Sequence, residues 1–304
     1  MAKIILAGGS GFIGQILAGH FTGKGDEVIV LTRNSNSTTG NVKYVHWDGQ
    51  TMGAWVNELE GSDVLINLTG KSVNCRYNEK NKKEIFSSRL NAANVLGKAL
   101  NALSSLPPLW INAASATIYR HAEDRPQDEY TGELGTGFSV DVCKQWEATF
   151  FEQDVPGVRK IGLRIAIVLG KNGGAMPYFF NLAKFGMGGR QGNGRQYFSW
   201  VHENDFTAII DFFIAHKELE GIFNVSSPNP IKNSEFMATV RKSVKVPFGL
   251  PATKWMLEIG VWALRTETEL ILKSRWVIPT KLIQAGYKFK VENIERAVRL
   301  SGGR

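Results

Sequence analysis

The chain has 304 residues, 43% of them hydrophobic and 21% charged, which is typical of a globular protein with one large domain or two smaller ones. The net charge is +8, but no dense basic run carries interleaved aromatic residues, so we expect an anionic small molecule and no nucleic acid as partner. Two cysteines are too few for a disulfide framework, no apolar stretch reaches membrane-spanning length, and an initial strand leaves no room for a signal peptide, so we expect a cytoplasmic protein without a membrane partner.

The first predicted element is a strand at residues 4–7 that runs into a glycine-rich turn and then a helical pattern. Glycine lets the backbone approach a phosphate closely, and the positive end of the following helix then faces the anion. A strand, a glycine turn and a helix in this order bind the pyrophosphate of a dinucleotide, although a plain tight turn is the alternative. We therefore assign cofactor binding to Gly8, Gly9, Ser10, Gly11, Phe12, Ile13 and Gly14.

The second predicted strand, residues 28–31, ends in Thr32 and Arg33. An acidic residue at this place would bind the ribose 2′-hydroxyl of NAD, whereas an arginine accommodates the 2′-phosphate of NADP. Because Arg33 has no carboxylate beside it, we expect NADP(H), and a solvated surface arginine is the alternative.

Two further strands are predicted at residues 44–46 and 63–67. Asp48 follows the first of them and either reaches the adenine amine or serves as a turn residue. Leu68, Thr69 and Gly70 close the second, at the edge where a doubly wound sheet meets its ligand. Helices between these strands predict a parallel sheet.

The middle of the chain continues the alternation of helices and strands. Glu84 and Arg89 lie on a long amphipathic helix and, taken alone, favour a surface ion pair. Ser115 follows a strand end, and Lys144 lies on the next helix. These elements are predicted at residues 78–103 (helix), 109–114 (strand), 138–152 (helix) and 159–169 (strand).

After Gly170 the composition changes, and five glycines fall between residues 186 and 194 beside Arg190 and Arg195. No strand leads into this loop and no Gly-Lys-Ser/Thr closes it, so it is not a P-loop. We interpret it as a substrate loop whose arginines meet a phosphate, with a flexible connection as the alternative.

A helix at residues 205–215 and a strand at 221–225 are predicted next, and the rest of the chain is mainly helical. The later predicted helices are 234–244, 253–264, one opened by the capping spacing of Thr266 and Glu269, and 279–285. The fold class is therefore α/β, a Rossmann-type doubly wound parallel sheet with a smaller, mainly helical C-terminal domain. We expect a dinucleotide-binding domain at 1–170, completed by about 198–227, and a substrate-binding region at 171–197 and 228–304.

Several of these motifs, in this order, resemble the extended short-chain dehydrogenase/reductase superfamily, also called the NAD-dependent epimerase/dehydratase superfamily. A closer resemblance is to its epimerase-like subfamily, often labelled sugar-nucleotide epimerase, with a C-terminal domain of unknown function. The superfamily motifs are the glycine turn, residues 67–70, the SATIY run at 115–119 and the WVH run at 200–202 with Asp205. The subfamily motifs are the glycine-rich run at 173–202, Ser88-Arg89, Trp146-Glu147 and the tail at 279–289.

The resemblance implies a cofactor site that adds residues beyond the glycine turn. It includes Thr32, Arg33, Leu68, Thr69, Glu84, Arg89 and Val168. Glu84 and Arg89 thereby gain a role beyond a surface ion pair. Members of the superfamily often dimerise through the helices equivalent to 78–103 and 138–152, so a homodimer is one expectation.

The superfamily's chemistry uses a serine or threonine, a tyrosine and a lysine. Ser115 matches the serine, and the superfamily's usual separation assigns Lys144 to the lysine and Val140 to the tyrosine. Valine cannot transfer a proton, and the substitutes we considered are Tyr119, Tyr130, Asp141 and Cys143. We expect Ser115 and Lys144 to be catalytic and no metal to take part.

The resemblance implies an epimerase or oxidoreductase that transfers a hydride between NADP(H) and a nucleotide-linked or phosphorylated sugar-like substrate. Arg190 and Arg195 would bind the anionic part of that substrate. The alternative is a protein that binds NADP(H) as a sensor or regulator without turning it over, because the tyrosine is absent.

Overall fold

The computed structural model describes residues 1–252 and 269–303. Within them, α-helices and β-strands alternate along most of the chain. The strands are β1 (Lys3–Ala7), β2 (Glu27–Thr32), β3 (Ser37–Thr39), β4 (Val42–His46), β5 (Val64–Asn67), β6 (Leu109–Ser115), β7 (Arg159–Ile165), β8 (Ile167–Leu169), β9 (Tyr197–Phe198), β10 (Trp200–His202), β11 (Gly221–Val225) and β12 (Ile231–Lys232). The α-helices are α1 (Phe12–Gly23), α2 (Glu79–Leu100), α3 (Phe138–Phe151), α4 (Met176–Lys184), α5 (Glu203–Ala215), α6 (Asn233–Ser243), α7 (Glu269–Leu272), α8 (Thr280–Gln284) and α9 (Ile294–Leu300).

The described residues form an eight-stranded main sheet in the order β11-β7-β6-β5-β1-β2-β4-β3. All of its pairings are parallel except that of the exposed edge strand β3 with β4. The chain order reverses between β1 and β5, which is where a doubly wound sheet opens a crevice at the carboxyl ends of its strands. The predicted α/β fold class is confirmed; β3 was not predicted.

Both faces of the sheet are buried, which explains its continuous apolar strands. In β1, Ile4 and Leu6 pack into a cluster with α1 and α5, whereas Ile5 and Ala7 pack into a cluster with α2 and α3. The alternation follows from the two-residue period of a strand. The sheet is thus a middle layer between helices and holds its strand ends rigidly.

The prediction of one continuous strand at residues 159–169 is wrong, because this segment divides into two strands, β7 and β8. The backbone N–H of Ala166 donates to Val225 O at 3.0 Å, and the N–H of Ile167 then donates to Ser199 O at 3.3 Å. The chain therefore leaves the main sheet at Ala166, and β8 pairs with β10 in a separate sheet of two described strands.

Helices α4, α6 and α9 surround a further apolar cluster in the C-terminal part of the chain. Phe180, Phe236, Met237 and Val298 belong to it. The domain division read from the sequence stays a prediction. The predicted helix 253–264 and the cap at Thr266 lie outside the described residues.

The long helix α2 is shorter than predicted and ends before residue 103. Asn78 caps its start, since its side chain accepts a hydrogen bond from the N–H of Asn81 at 2.8 Å. Among the described helices, none combines the length and the low polarity that a membrane crossing requires.

Candidate functional site

The glycine turn between β1 and α1 is built to approach an anion. Gly8 has a φ of +71°, and its N–H donates to Leu31 O at 2.9 Å. A Cβ on Gly14 would lie 2.1 Å from Gly9 O, whereas one on Gly11 would meet nothing within 4 Å. Gly11 also caps α1 without a side chain, so the first N–H groups of the helix face open space. This geometry fits a pyrophosphate.

A cavity of about 710 Å³, here called the outer cavity, extends from this turn along the ends of β2, β4 and β5. Arg33 is exposed on its wall beside Thr32, in the position expected for a ribose-phosphate ligand. The indole Nε1 of Trp47 and the Oγ1 of Thr69 are buried and have no hydrogen-bond partner among the described residues. Such orphaned polar atoms fit a bound cofactor. The predicted residues that line the outer cavity are Gly8, Ser10, Gly11, Thr32, Arg33, Asp48, Leu68, Thr69, Gly70 and Glu84.

Two acids on the outer cavity already have partners. The carboxylate of Asp48 accepts hydrogen bonds from Thr51 and from Gln50 N, and the bond from Thr51 holds the pKa of Asp48 below its ordinary value. Asp48 therefore is a turn residue that also lines the cavity. Glu84 pairs with Lys71, and this hydrogen bond lowers the pKa of Glu84.

A second cavity of about 490 Å³, the inner cavity, shares Gly8, Gly11 and Leu68 with the outer one. It leads from the glycine turn to the end of β6 and is mainly apolar. Its other predicted residues are Phe12, Ile13, Gly14, Arg89, Ser115 and Cys143. The two cavities together form an elongated cleft that suits a dinucleotide with a substrate at its inner end.

Arg89 is the buried cation of the inner cavity, at 8% exposure. Its guanidinium carbon lies 4.8 Å from the centre of the Trp146 ring, and its Nη1 donates to Ile85 O at 2.8 Å. Burial lowers the pKa of Arg89. Among the described residues no carboxylate forms an ion pair with it, so the cavity holds a desolvated positive charge that favours an electron-rich ligand.

Ser115 lies at the floor of the inner cavity. Its Oγ accepts a hydrogen bond from Thr117 N at 3.2 Å, which leaves the hydroxyl hydrogen to donate to a ligand. The position agrees with a group that orients a substrate carbonyl.

Helix α3 presents Ser139 and Cys143 to the inner cavity. Val140 is fully buried in a small apolar cluster, and the Nζ of Lys144 donates to Gly135 O at 2.9 Å. Ser139 and Cys143 are separated by four residues, like the superfamily's tyrosine and lysine. Each precedes by one residue the position assigned from the sequence, Val140 or Lys144. Lys144 does not line the cavity.

The other substitutes for the tyrosine also differ in placement. Tyr119 is buried beneath the site, where its hydroxyl donates a hydrogen bond to Asn224 Oδ1 and accepts one from Arg164 Nη1. Tyr130 and Asp141 are exposed. Cys143 does line the cavity, but burial raises the pKa of its thiol to about 12, so it is uncharged at neutral pH.

Four more predicted residues lie away from both cavities. Gly9 is buried in the glycine turn, where a Cβ would lie 2.7 Å from Leu6 Cβ. Val168 is 6% exposed in the cluster beneath α5. Arg190 is exposed, and Arg195, with a side chain 73% exposed, lies 3.6 Å from Glu123. The loop that carries the two arginines pairs with residues 250–252, for example through Ala252 N and Arg190 O at 3.0 Å.

The sequence reading missed several residues of the site. Tyr77 lines the inner cavity from the loop before α2, and its ring lies 4.9 Å from that of Phe138. Lys273 and Arg275 reach Thr117 from the far end of the chain. Tyr77 stands three residues before Lys80, the first lysine of the exposed face of α2, which was a local signal, but nothing in the sequence connects residues 273 and 117.

Two family models match separate parts of the chain. The pattern of the NAD dependent epimerase/dehydratase family matches residues 4–226. A domain of unknown function, DUF1731, matches residues 252–300.

Similar proteins span the full length of the chain. The epimerase family protein YfhF of Bacillus subtilis is 32% identical over 97% of this chain and 96% of its own. The crystal structure of human epimerase family protein SDR39U1 with NADPH matches with a TM-score of 0.86 and 25% identity, over 98% of this chain and 99% of that one. A nucleoside-diphosphate sugar epimerase from Corynebacterium glutamicum matches with a TM-score of 0.78 and 25% identity, over 99% of this chain and 58% of that one.

Proposed function

The chain belongs to the NAD dependent epimerase/dehydratase family, and on this premise we propose that it is an NADP(H)-dependent epimerase or oxidoreductase. Its substrate is sugar-like and anionic, either phosphorylated or nucleotide-linked. A bound NADP would supply a hydride acceptor for a substrate carbon and NADPH a hydride donor, and an epimerisation would use the two in turn.

The observation that carries the cofactor assignment is Arg33 on the wall of the outer cavity. A guanidinium binds a phosphate through two parallel hydrogen bonds, and this one stands where the ribose 2′-position is expected. The two predicted acids that line the outer cavity, Asp48 and Glu84, already accept hydrogen bonds from Thr51 and Lys71. The NADPH in the human SDR39U1 structure supports the same choice.

The inner cavity supports hydride chemistry through its walls and its few polar groups. Ser115 donates to the substrate carbonyl oxygen, and Arg89 stabilises negative charge that develops nearby. Ser139 donates from its Oγ to Glu269 Oε2 at 2.9 Å, so this hydroxyl and carboxylate can hold a proton at the cavity edge. The apolar lining keeps water from the reacting carbon.

A second candidate function is the binding of NADP(H) as a redox sensor or regulator. The observation that favours it is the pair Ser139 and Cys143, which replaces the tyrosine and lysine on the cavity face of α3. Neither side chain supplies the charge that lowers a phenol pKa in the usual site.

The experiment that tests the proposal is a titration of the cofactor-free protein with NADPH and NADH, repeated with Arg33→Ala and with Arg195→Ala as the exposed control. We expect Arg33→Ala to weaken NADPH binding roughly 10- to 100-fold, since hydrogen bonds to charged groups contribute about 1.5–3 kcal/mol and Arg33 is solvent-exposed. Binding of NADH should be unchanged. Equal affinity of the wild type for both nucleotides would refute the NADP assignment.

Turnover then separates the two functions. A panel of phosphorylated and nucleotide-linked sugars is incubated with the NADP(H)-loaded protein, and absorbance at the nicotinamide band and product stereochemistry are followed. Activity that Ser115→Ala abolishes supports the enzyme. Tight NADPH binding with no redox or stereochemical change across the panel favours the sensor.

A further inference from the structure

A short C-terminal segment, residues 273–277, runs along the outer side of the inner cavity. The Nζ of Lys273 donates to Thr117 O at 2.7 Å, and the Nε of Arg275 donates to Thr117 Oγ1 at 3.1 Å. Thr117 itself lines the inner cavity. Two cations therefore lie directly behind the residue that borders the expected substrate position.

The same two cations line a separate small cavity of about 100 Å³, here called the polar pocket. It lies between β9, α4 and the segment 273–277, and its described lining includes two cations and no carboxylate. Its polar side chains are those of Lys273, Arg275, Gln191, Gln196, Asn233, Ser199, Tyr178 and Tyr197.

The side-chain oxygen of Gln196 is a hydrogen-bond acceptor in the polar pocket that has no donor among the described residues. The residue is 4% exposed, and its Nε2 donates to Gln191 O at 2.9 Å, which fixes the orientation of the amide. The remaining oxygen, Oε1, is buried and has no hydrogen-bond partner among the described residues. A buried acceptor left unpaired costs roughly 1–3 kcal/mol, so this oxygen is suited to receive a ligand hydroxyl.

Lys273 gives the pocket a desolvated charge. Its side chain is 9% exposed, and Glu269 lies 3.8 Å from its Nζ, at the outer limit of an ion pair. The same Glu269 carboxylate accepts the hydrogen bond from Ser139. Burial lowers the pKa of Lys273, so an anion in the pocket would restore favourable surroundings for the ammonium.

We propose that the polar pocket is a substrate subsite for a compact oxyanion, a carboxylate or a phosphate, that carries a hydroxyl on a neighbouring carbon. This inference rests on the proposed function and specifies its substrate. Lys273 and Arg275 bind the oxyanion, and Gln196 Oε1 accepts the hydroxyl hydrogen. Arg190 and Arg195 are not part of this subsite.

The size of the pocket limits the group that enters. A cavity needs about 10–15 Å³ to hold one water molecule, so a pocket of about 100 Å³ has room for a small polar group such as an oxyanion with its adjoining carbon. Cavities that hold larger ligands measure about 300–1,000 Å³. The subsite thus selects a small phosphorylated or carboxylated polyol, and a nucleoside does not fit within it.

The test uses NADPH-loaded protein and calorimetric titration with three probes: glycerol 3-phosphate, glycerate and glycerol. We expect one or both anionic probes to bind and the neutral one not to; which anion binds better distinguishes phosphate from carboxylate. Lys273→Gln keeps a donor for Thr117 O without the charge, and Gln196→Leu removes the acceptor. Each should weaken binding of the anionic probe at least tenfold, and Arg195→Gln should change it less than twofold.

NADPH affinity, measured for every variant, distinguishes failure of the subsite from failure of the proposed function. Unchanged NADPH binding in Lys273→Gln and Gln196→Leu shows that the variants fold. If the wild type binds NADPH but neither anionic probe, or if Arg195→Gln weakens probe binding while Lys273→Gln and Gln196→Leu do not, the subsite is refuted and the cofactor assignment stands.

Discussion

Replacing Arg89 with methionine separates cofactor affinity from stability. The guanidinium is 8% exposed, lies over the Trp146 ring and donates to Ile85 O. None of the described carboxylates forms an ion pair with it. Methionine fills a similar volume without the charge, and its flexible chain adapts to the same surroundings.

The expected magnitude follows from two opposing effects. A hydrogen bond from a charged group contributes about 1.5–3 kcal/mol, so the loss of one bond to the ligand weakens NADPH binding roughly 10- to 150-fold. In the cofactor-free protein the buried charge lacks a carboxylate, so its removal relieves a desolvation cost that offsets the lost contacts with Trp146 and Ile85. The free energy of unfolding should change by less than about 1 kcal/mol, or increase.

The assay combines NADPH titration with urea unfolding of the cofactor-free protein. Lys83→Met is the matched control, since Lys83 is exposed on the same helix. The reasoning is refuted if Arg89→Met binds NADPH as the wild type does while its free energy of unfolding falls by 2 kcal/mol or more. Arg89 would then be a structural residue.

Three further predictions concern the glycine turn, the main sheet and the start of α5. Gly14→Ala should lower the free energy of unfolding by about 1–3 kcal/mol and weaken NADPH binding, because its Cβ would lie 2.1 Å from Gly9 O; chemical unfolding and titration measure both. Glu147→Ala leaves the buried Arg164 guanidinium without its carboxylate partner, so the free energy of urea unfolding should fall by about 3–5 kcal/mol. Replacing both Glu147 and Arg164 with methionine should lower it by less. Burial lowers the pKa of His202 to about 4 from 6.5, so the unfolded state binds more protons in this window. Stability should fall as the pH falls from 6.5 to 4, by at most about 3 kcal/mol from this residue, and His202→Asn should flatten the thermal unfolding profile there.

Each of these three predictions has a control variant or a result that would contradict it. Gly19→Ala, on the same helix with open space around its Cβ, should stabilise, and equal destabilisation by both alanines would contradict the clash. If the double methionine variant were no more stable than Glu147→Ala, the unpaired Arg164 charge would not be the cause of the destabilisation. For His202, Asp205 and Arg296 are the charged groups that oppose each other in setting its pKa; an unaltered profile in the variant would assign the pH dependence elsewhere.

The sheet and the glycine turn were predictable because their signals are local. An apolar run followed by glycines and an apolar helix face can be read within a short window, and parallel order follows from the alternation of elements. The division at Ala166 could not be predicted, because neither a proline nor a glycine marks that position and the partner strand of β8, β10, lies over thirty residues further along the chain.

The cofactor end of the site was more predictable than the chemical end. On α3, a shift of one residue turns a side chain by about 100° around the helix axis, so counting along the chain assigned Val140 and Lys144 where the cavity meets Ser139 and Cys143. The motif residue Asp205 also has a structural role: its carboxylate accepts hydrogen bonds from Tyr287 and from the N–H groups of residues 290 and 291.

The contact between Lys273 and Thr117 has a consequence for synthesis of the protein. The two residues are 156 positions apart, and a ribosome adds roughly 5–20 residues per second. Thr117 is therefore synthesised about 8–30 s before Lys273, and the glycine turn earlier still. A nascent chain can assemble the nucleotide cleft early, but it acquires the polar pocket only after residues 273–275 have been made.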